Sequence, residues 1–140
     1  MPGLAVVFAG IRKKAQARID ARCGSTPPRR SDPRANFFGQ RSRGPAQVRG
    51  NGGLALTEDA LWFGQLVPER DLEIPLSAVR GVHIERSFMG KTKGGPIVVV
   101  DFDLGEGEDA AGWMVRDAEA WKGAIRDAEA WKGAIEDAAG

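Results

Sequence analysis

The stretch GGLALTEDALWFGQLVPERDLEIPLSAVRGVHI, residues 52–84, decides the fold because its apolar residues alternate with other residues in several short runs. An alternation with a period of two is typical of β-strands that bury one face. The same alternation returns at residues 98–104 and at residues 110–115. The pair Asn51-Gly52 directly precedes the first run and favours a tight turn. We therefore predict about seven short antiparallel strands.

A helix is predicted to follow the last strand. Asp117 is a residue type that caps helix N-termini by accepting backbone N–H bonds, and the sequence after it has helical spacing. We expect Trp121 and Ile125 to pack on the sheet, with Ala128 and Ile135 roughly in line with them. The predicted fold is therefore mainly β, a seven-stranded antiparallel barrel or sandwich that one C-terminal helix caps.

The closing helix contains an internal repeat. The decapeptide RDAEAWKGAI occupies residues 116–125 and returns unchanged at residues 126–135. Ten residues turn an α-helix by about 1000°, so the second copy is rotated by about 80° relative to the first. We predict that the helix overhangs the sheet from about Glu129 and that Trp131 is at least partly exposed. The repeat indicates a recent duplication, natural or engineered.

Three features carry a family resemblance: the turn at Leu56-Thr57, the segment IPLSAV at residues 74–79, and the tryptophan of the closing helix. Together they make residues 48–125 similar to a pleckstrin-homology-like (PH-like) domain of the GRAM-like bacterial type. That resemblance implies a barrel or sandwich with a helical cap. It also implies binding of a lipid headgroup or a peptide without catalysis, so we expect neither enzyme activity nor a cofactor.

The chain divides by composition and charge. Residues 1–49 hold eleven Lys and Arg against two acids, whereas residues 50–140 hold nine against seventeen. We interpret residues 1–23 as a basic N-terminal helix or the remnant of a truncated membrane anchor. Residues 24–44, rich in Pro and Arg, are predicted to be a linker onto which Phe37 and Phe38 could still dock. Residues 45–137 are the predicted PH-like domain.

The apolar run GLAVVFAGI at residues 3–11 is about 9 residues long, whereas a membrane-spanning helix needs about 20. Its basic flank resembles the cytoplasmic side of a spanning segment. Cys23 is the only cysteine, so no intrachain disulfide can form. We therefore expect a cytoplasmic protein that associates with a membrane.

Candidate lipid-binding residues come from two segments. Basic residues near the first strand correspond loosely to those of lipid-binding relatives, and the loop FMGKTKGGP at residues 88–96 places lysines beside apolar residues. Membrane-touching loops combine these two types of side chain. A plain connecting loop is the alternative interpretation. The candidates are Arg41, Arg43, Arg49, Phe88, Met89, Lys91 and Lys93.

Three other motifs lack residues that their chemistry would require. Gly90-Lys91-Thr92 lacks the earlier glycine of a phosphate-binding loop, because Glu85 stands in its place. Residues 101–109 depart from a calcium loop at Gly105, so an acidic hairpin turn is predicted. His83 has no second histidine or paired cysteine with which to form a metal or nucleophile site. We therefore predict no metal site and no catalytic residue.

Three functions remain open. The first is a peripheral or anchored module that contacts anionic lipid. The second is a protein-interaction or scaffold domain that uses a sheet edge or the extended helix, and self-association through that helix is one form of it. The third, nucleic-acid binding through the basic arm, is disfavoured because the arm lacks Tyr and Trp and the body is acidic.

Overall fold

The computed structural model describes residues 2–44, 47 and 49–139, and for residues 2–9 and 131–139 it describes the backbone alone. Two helices and seven strands make up this part of the chain. The helices are α1 (Pro2–Cys23) and α2 (Ala118–Ala139). The strands are β1 (Arg30–Gln40), β2 (Gly50–Leu56), β3 (Ala60–Gln65), β4 (Arg70–Pro75), β5 (Val79–Glu85), β6 (Ile97–Asp103) and β7 (Glu108–Met114).

All seven strands belong to one antiparallel sheet, in the order β4-β3-β2-β1-β7-β6-β5. The predicted strand number, antiparallel pairing and C-terminal helix are confirmed. The sheet is not a closed barrel, because β4 and β5 lie at opposite ends of the strand order. It is instead an open, bent sheet whose inner face surrounds the core.

The predicted linker at residues 24–44 is wrong in its central part, because residues 30–40 form β1, the middle strand of the sheet. Phe37 and Phe38 are both buried, and as neighbours in a strand they enter different apolar clusters. The predicted turn at Asn51-Gly52 is also wrong, since both residues lie inside β2. A Cβ on Gly52 would lie 2.2 Å from the carbonyl oxygen of Gly64, so close strand packing explains this glycine.

The main core fills the inner face of the sheet. It joins apolar side chains of β2 and β3 to those of β6 and β7, with Phe37 of β1 between them. The Phe37 ring lies 5.1 Å from the Phe63 ring and 5.5 Å from the Trp113 ring, centroid to centroid. Such aromatic contacts contribute about 0.5–1.5 kcal/mol each beyond area burial.

Helix α1 packs on the outer face of β1 and β2 and also reaches β3. Its Ile19 is buried with Ala55 and Trp62, and its Arg18 lies over the Trp62 ring and is paired with Asp71. In the described part of the chain, no helix is long and apolar enough to cross a bilayer. The predicted basic helix at residues 1–23 is present from Pro2 to Cys23.

Helix α2 closes the core against β5 and the turn before it. Asp117 caps the helix as predicted, since its Oδ1 accepts the backbone N–H of Ala120 at 3.2 Å. Trp121, Ile125 and Ala128 are each at most 1% exposed, as the sequence predicts. The side chains of Trp131 and Ile135 lie outside the described residues, so the exposure of Trp131 and the alignment of Ile135 stay predictions.

The docking of α1 can be tested at Gly53. A Cβ there would lie 2.7 Å from Ile19 Cγ1 and 2.9 Å from the Ala15 carbonyl oxygen, so Gly53→Ala should push α1 away from the sheet. We expect a loss of about 1–3 kcal/mol in the free energy of unfolding, measured by urea denaturation. Gly123→Ala, on an exposed part of α2 with no neighbour within 4 Å, should instead stabilise by up to about 1 kcal/mol. Equal effects of the two variants would contradict this packing.

The register of the repeat in α2 can be tested with two identical substitutions. Trp121→Ala should cost about 3–5 kcal/mol because it empties a core position, whereas Trp131→Ala should cost less than about 1 kcal/mol. Urea unfolding followed by far-UV circular dichroism measures both without relying on tryptophan fluorescence. A larger loss at Trp131 than at Trp121 would show that the second copy fills the core.

Candidate functional site

The two segments that carry the predicted lipid-binding residues meet on the outer face of the sheet. The first is the connection between β1 and β2, residues 41–49, and the second is the connection between β5 and β6, residues 86–96. The guanidinium carbon of Arg41 lies 5.6 Å from the centroid of the Phe88 ring. A Cβ on Gly39 would lie 3.2 Å from the sulfur of Met89. The β5–β6 connection therefore folds back across the sheet to reach the end of β1.

The apolar residues of this loop serve packing. Phe88 is 4% exposed and belongs to an outer cluster with Phe38, Ile97, Val99 and Ala110, and Met89 is half-buried against that cluster. The expectation that the Phe88 ring enters a membrane is therefore wrong, because its surface is already covered by protein. The groups that the two connections expose to solvent are therefore mainly their charged side chains.

The cations of the two connections, which we call the loop cations, are Arg41, Arg43, Arg49, Lys91 and Lys93. All are exposed except Lys91, which is half-buried and whose backbone exchanges two hydrogen bonds with Phe88. Arg49 stacks 5.3 Å from the Phe38 ring, so Arg41 and Arg49 both cover the outer cluster. Arg43 lies apart from these two and lines a cavity of about 170 Å³ with Phe37 and Arg70.

Asp109 of β7 holds the β1–β2 connection in place. Its Oδ1 accepts the Ser42 backbone N–H at 2.9 Å, and its Oδ2 accepts the Gln40 side-chain amide at 2.8 Å. Burial raises the pKa of Asp109, but the hydrogen bonds from Ser42, Gln40 and the Ala110 N–H outweigh it and hold that pKa below its usual value. The carboxylate therefore stays ionised and fixes the turn that carries Arg41 and Arg43.

A second group of cations was missed by the sequence analysis. Arg12 of α1, Arg30 and Arg34 of β1 and Arg116 before α2 line a cavity of about 300 Å³, together with Asp32, Asp117 and Trp121. These four arginines come from three elements that are distant along the chain. The excess of arginine in residues 24–44 was the only signal for this site, and composition alone could not show that the side chains converge.

His83 and Cys23, the residues considered for catalysis and metal binding, lie on separate elements, β5 and the end of α1. His83 lies on β5 between two carboxylates, with Nδ1 3.2 Å from Asp101 Oδ2 and Nε2 3.4 Å from Glu85 Oε1. In the part of the chain that the structure describes, no group of three His, Cys, Asp or Glu side chains could hold a metal ion. Burial raises the pKa of the Cys23 thiol, which packs beside Ile19 and Trp62 and is a poor nucleophile there.

The role of Asp109 predicts a pH dependence. Because its folded-state pKa is lowered, its stabilisation is fully present above the unfolded-state pKa of about 3.9 and is lost as the pH falls through the lower folded-state value. Asp109→Asn should therefore cost about 1–3 kcal/mol near neutral pH and progressively less in acid. Urea unfolding across this pH range measures the difference. Glu106→Gln, at an exposed position in the β6–β7 turn, is the control and should change little. A pH-independent cost for Asp109→Asn would contradict the assignment.

Comparisons with known proteins add no family to this description. No protein-family model matches the chain, and no curated protein matches it.

Proposed function

We propose that the chain is a non-catalytic binding module that contacts anionic lipid at the cytoplasmic face of a membrane through the loop cations. The observation that carries this proposal is the stacking of Arg41 on Phe88, which joins the β1–β2 connection to the loop that carries Lys91 and Lys93. The resemblance of residues 48–125 to PH-like domains supports the same function.

The charges in this region favour an anionic partner. Among the described residues, no carboxylate forms an ion pair with Arg41, Arg43, Arg49 or Lys93. Asp101, Glu108 and Asp109 line a cavity with Arg41, and Asp109 uses its oxygens to accept hydrogen bonds from Gln40, Ser42 and Ala110. A basic side chain near an anionic leaflet contributes about 1 kcal/mol, so several loop cations together give a useful affinity.

This contact is electrostatic because the apolar residues of the loop are engaged elsewhere. Phe88 and Phe38 are buried in the outer cluster and cannot also insert among acyl chains. Binding should therefore weaken steeply as salt is added, since the Debye length falls from about 10 Å at 0.1 M to about 3 Å at 1 M. Vesicles without anionic lipid should not bind.

Co-sedimentation with vesicles of phosphatidylcholine and phosphatidylserine tests the proposal. Arg49→Gln combined with Lys93→Gln removes two loop cations and should weaken binding by roughly 10- to 30-fold, since each contributes about 1 kcal/mol. The matched control, Arg29→Gln combined with Arg126→Gln, removes the same charge from exposed positions outside both connections and should retain most of the binding.

Two results would reject the proposal. One is an absence of binding to phosphatidylserine vesicles at low salt. The other is an equal loss of affinity in the two double variants, which would mean that net charge and not the loop cations governs the contact.

A further inference from the structure

The arginine cavity, the space lined by Arg12, Arg30, Arg34 and Arg116, lies outside the loop cations. It occupies about 300 Å³ where α1, the start of β1 and the entry to α2 meet. Two further cavities, of about 310 and 440 Å³, share lining residues with it: Arg12 lines both, and Arg34 lines the first of them. A volume of about 300 Å³ is near the lower limit for small-molecule sites in proteins.

A buried carboxylate positions two of the four arginines. Asp32 is 4% exposed; its Oδ1 accepts the Arg34 backbone N–H at 2.8 Å, and its Oδ2 accepts the Arg116 backbone N–H at 2.7 Å. Both oxygens are therefore used by the main chain. These two bonds fix the backbone of Arg34 and Arg116. The N–H donors of the two guanidinium groups take no part in them.

Arg30 is held beside the cavity with donor capacity left over. Its guanidinium carbon lies 5.6 Å from the centroid of the buried Trp121 ring, and its Nη2 lies 3.9 Å from Asp117 Oδ2, beyond hydrogen-bond distance. The Nε atom of Arg30 is buried and has no hydrogen-bond partner. Because solvent does not reach that atom, Arg30 can offer the cavity only its terminal Nη groups, on a side chain that is 34% exposed.

The other three arginines are exposed and, unlike Arg30, have no partner of opposite charge in the described part of the chain. Among the described side chains, no Asp or Glu forms an ion pair with Arg12, Arg34 or Arg116. The cavity lining has four arginines against the two carboxylates of Asp32 and Asp117, a formal charge of +2, which favours an anion over a cation there. Each guanidinium offers a planar fork of N–H donors that matches the oxygens of a phosphate.

We propose that the arginine cavity binds a phosphate group, either free or as the phosphomonoester of a larger ligand. Arg12, Arg34 and Arg116 donate hydrogen bonds to its oxygens, and Arg30 donates through its terminal Nη groups. Asp32 is a positioning residue that does not touch the ligand. This site is separate from the proposed membrane contact, because it shares no residue with the loop cations.

Thermal unfolding of the full chain in inorganic phosphate, compared with chloride at equal ionic strength, tests the site, and isothermal titration calorimetry gives the Kd. Phosphate should raise the Tm where chloride does not. Arg34→Gln combined with Arg116→Gln keeps both backbone N–H bonds to Asp32 and should raise the Kd for phosphate at least about tenfold, because it removes two charge-assisted hydrogen bonds. Arg29→Gln combined with Arg126→Gln removes the same charge elsewhere and should leave the Kd within about twofold.

Vesicles of phosphatidylcholine with phosphatidic acid distinguish a lipid phosphate from a soluble one. Binding to these vesicles that is lost in Arg34→Gln/Arg116→Gln assigns the phosphate to a lipid headgroup, and soluble phosphate binding alone assigns it to a free phosphomonoester. Arg49→Gln/Lys93→Gln should leave the Kd for inorganic phosphate unchanged, because these residues do not line the arginine cavity. The phosphate site and the membrane contact can therefore be accepted or rejected independently. Equal Tm values in phosphate and chloride, or an unchanged Kd in Arg34→Gln/Arg116→Gln, would overturn the proposal.

Discussion

The fold depends on the pairing of β1 with both halves of the sheet. The first part of β1 pairs with β2 and its last part pairs with β7, and Phe37 is in register with Gly50 on one side and Trp113 on the other. The register shifts at Asp32/Ala35 and again at Phe37/Gly39, and such irregularities bend a strand. The bend brings the two halves face to face around the Phe37 ring. Without β1, neither half would have a partner across the core.

β1 positions arginines of both the arginine cavity and the loop cations. Arg30 and Arg34 lie near its start, in the arginine cavity, and Arg41 follows its last residue. One carboxylate secures each end: Asp32 bonds the backbone near the entry to α2, and Asp109 bonds the turn after β1. Asp32 lies in a basic segment and Asp109 in an acidic one, and both use their oxygens to hold the main chain next to arginines.

The period-two segments after residue 50 were predictable because their apolar residues face one core, and the helical cap was predictable from Asp117 and the helical spacing after it. β1 was not predictable, since Pro33 and the arginines around it are typical of a linker, and only a partner on each side makes this segment a strand. Gly52 shows the same difficulty. A glycine that favours a turn locally can instead be required where two strands approach closely.

The candidate site was predictable in its residues but not in its contacts. The lysines and arginines of the two connections stand out by composition, whereas the stacking of Arg41 on Phe88 joins positions 47 residues apart. The burial of Phe88 also follows from Phe38 lying on the outer face, which depends on β1 being a strand. The arginine cavity depends on the same strand, so it could not be inferred before β1 was known.

Because the decapeptide is duplicated, two helical segments with the same side chains could fill the same part of the core. A space that accepts Trp121, Ile125 and Ala128 would accept Trp131, Ile135 and Ala138 equally well, because the side chains are the same. Side-chain recognition therefore cannot choose between the copies. The shorter tether to β7 makes that choice, because inserting the second copy would unwind the first into a loop and add closure entropy. In this helix, the position of each copy along the chain, and not the fit of its side chains, decides which copy packs in the core.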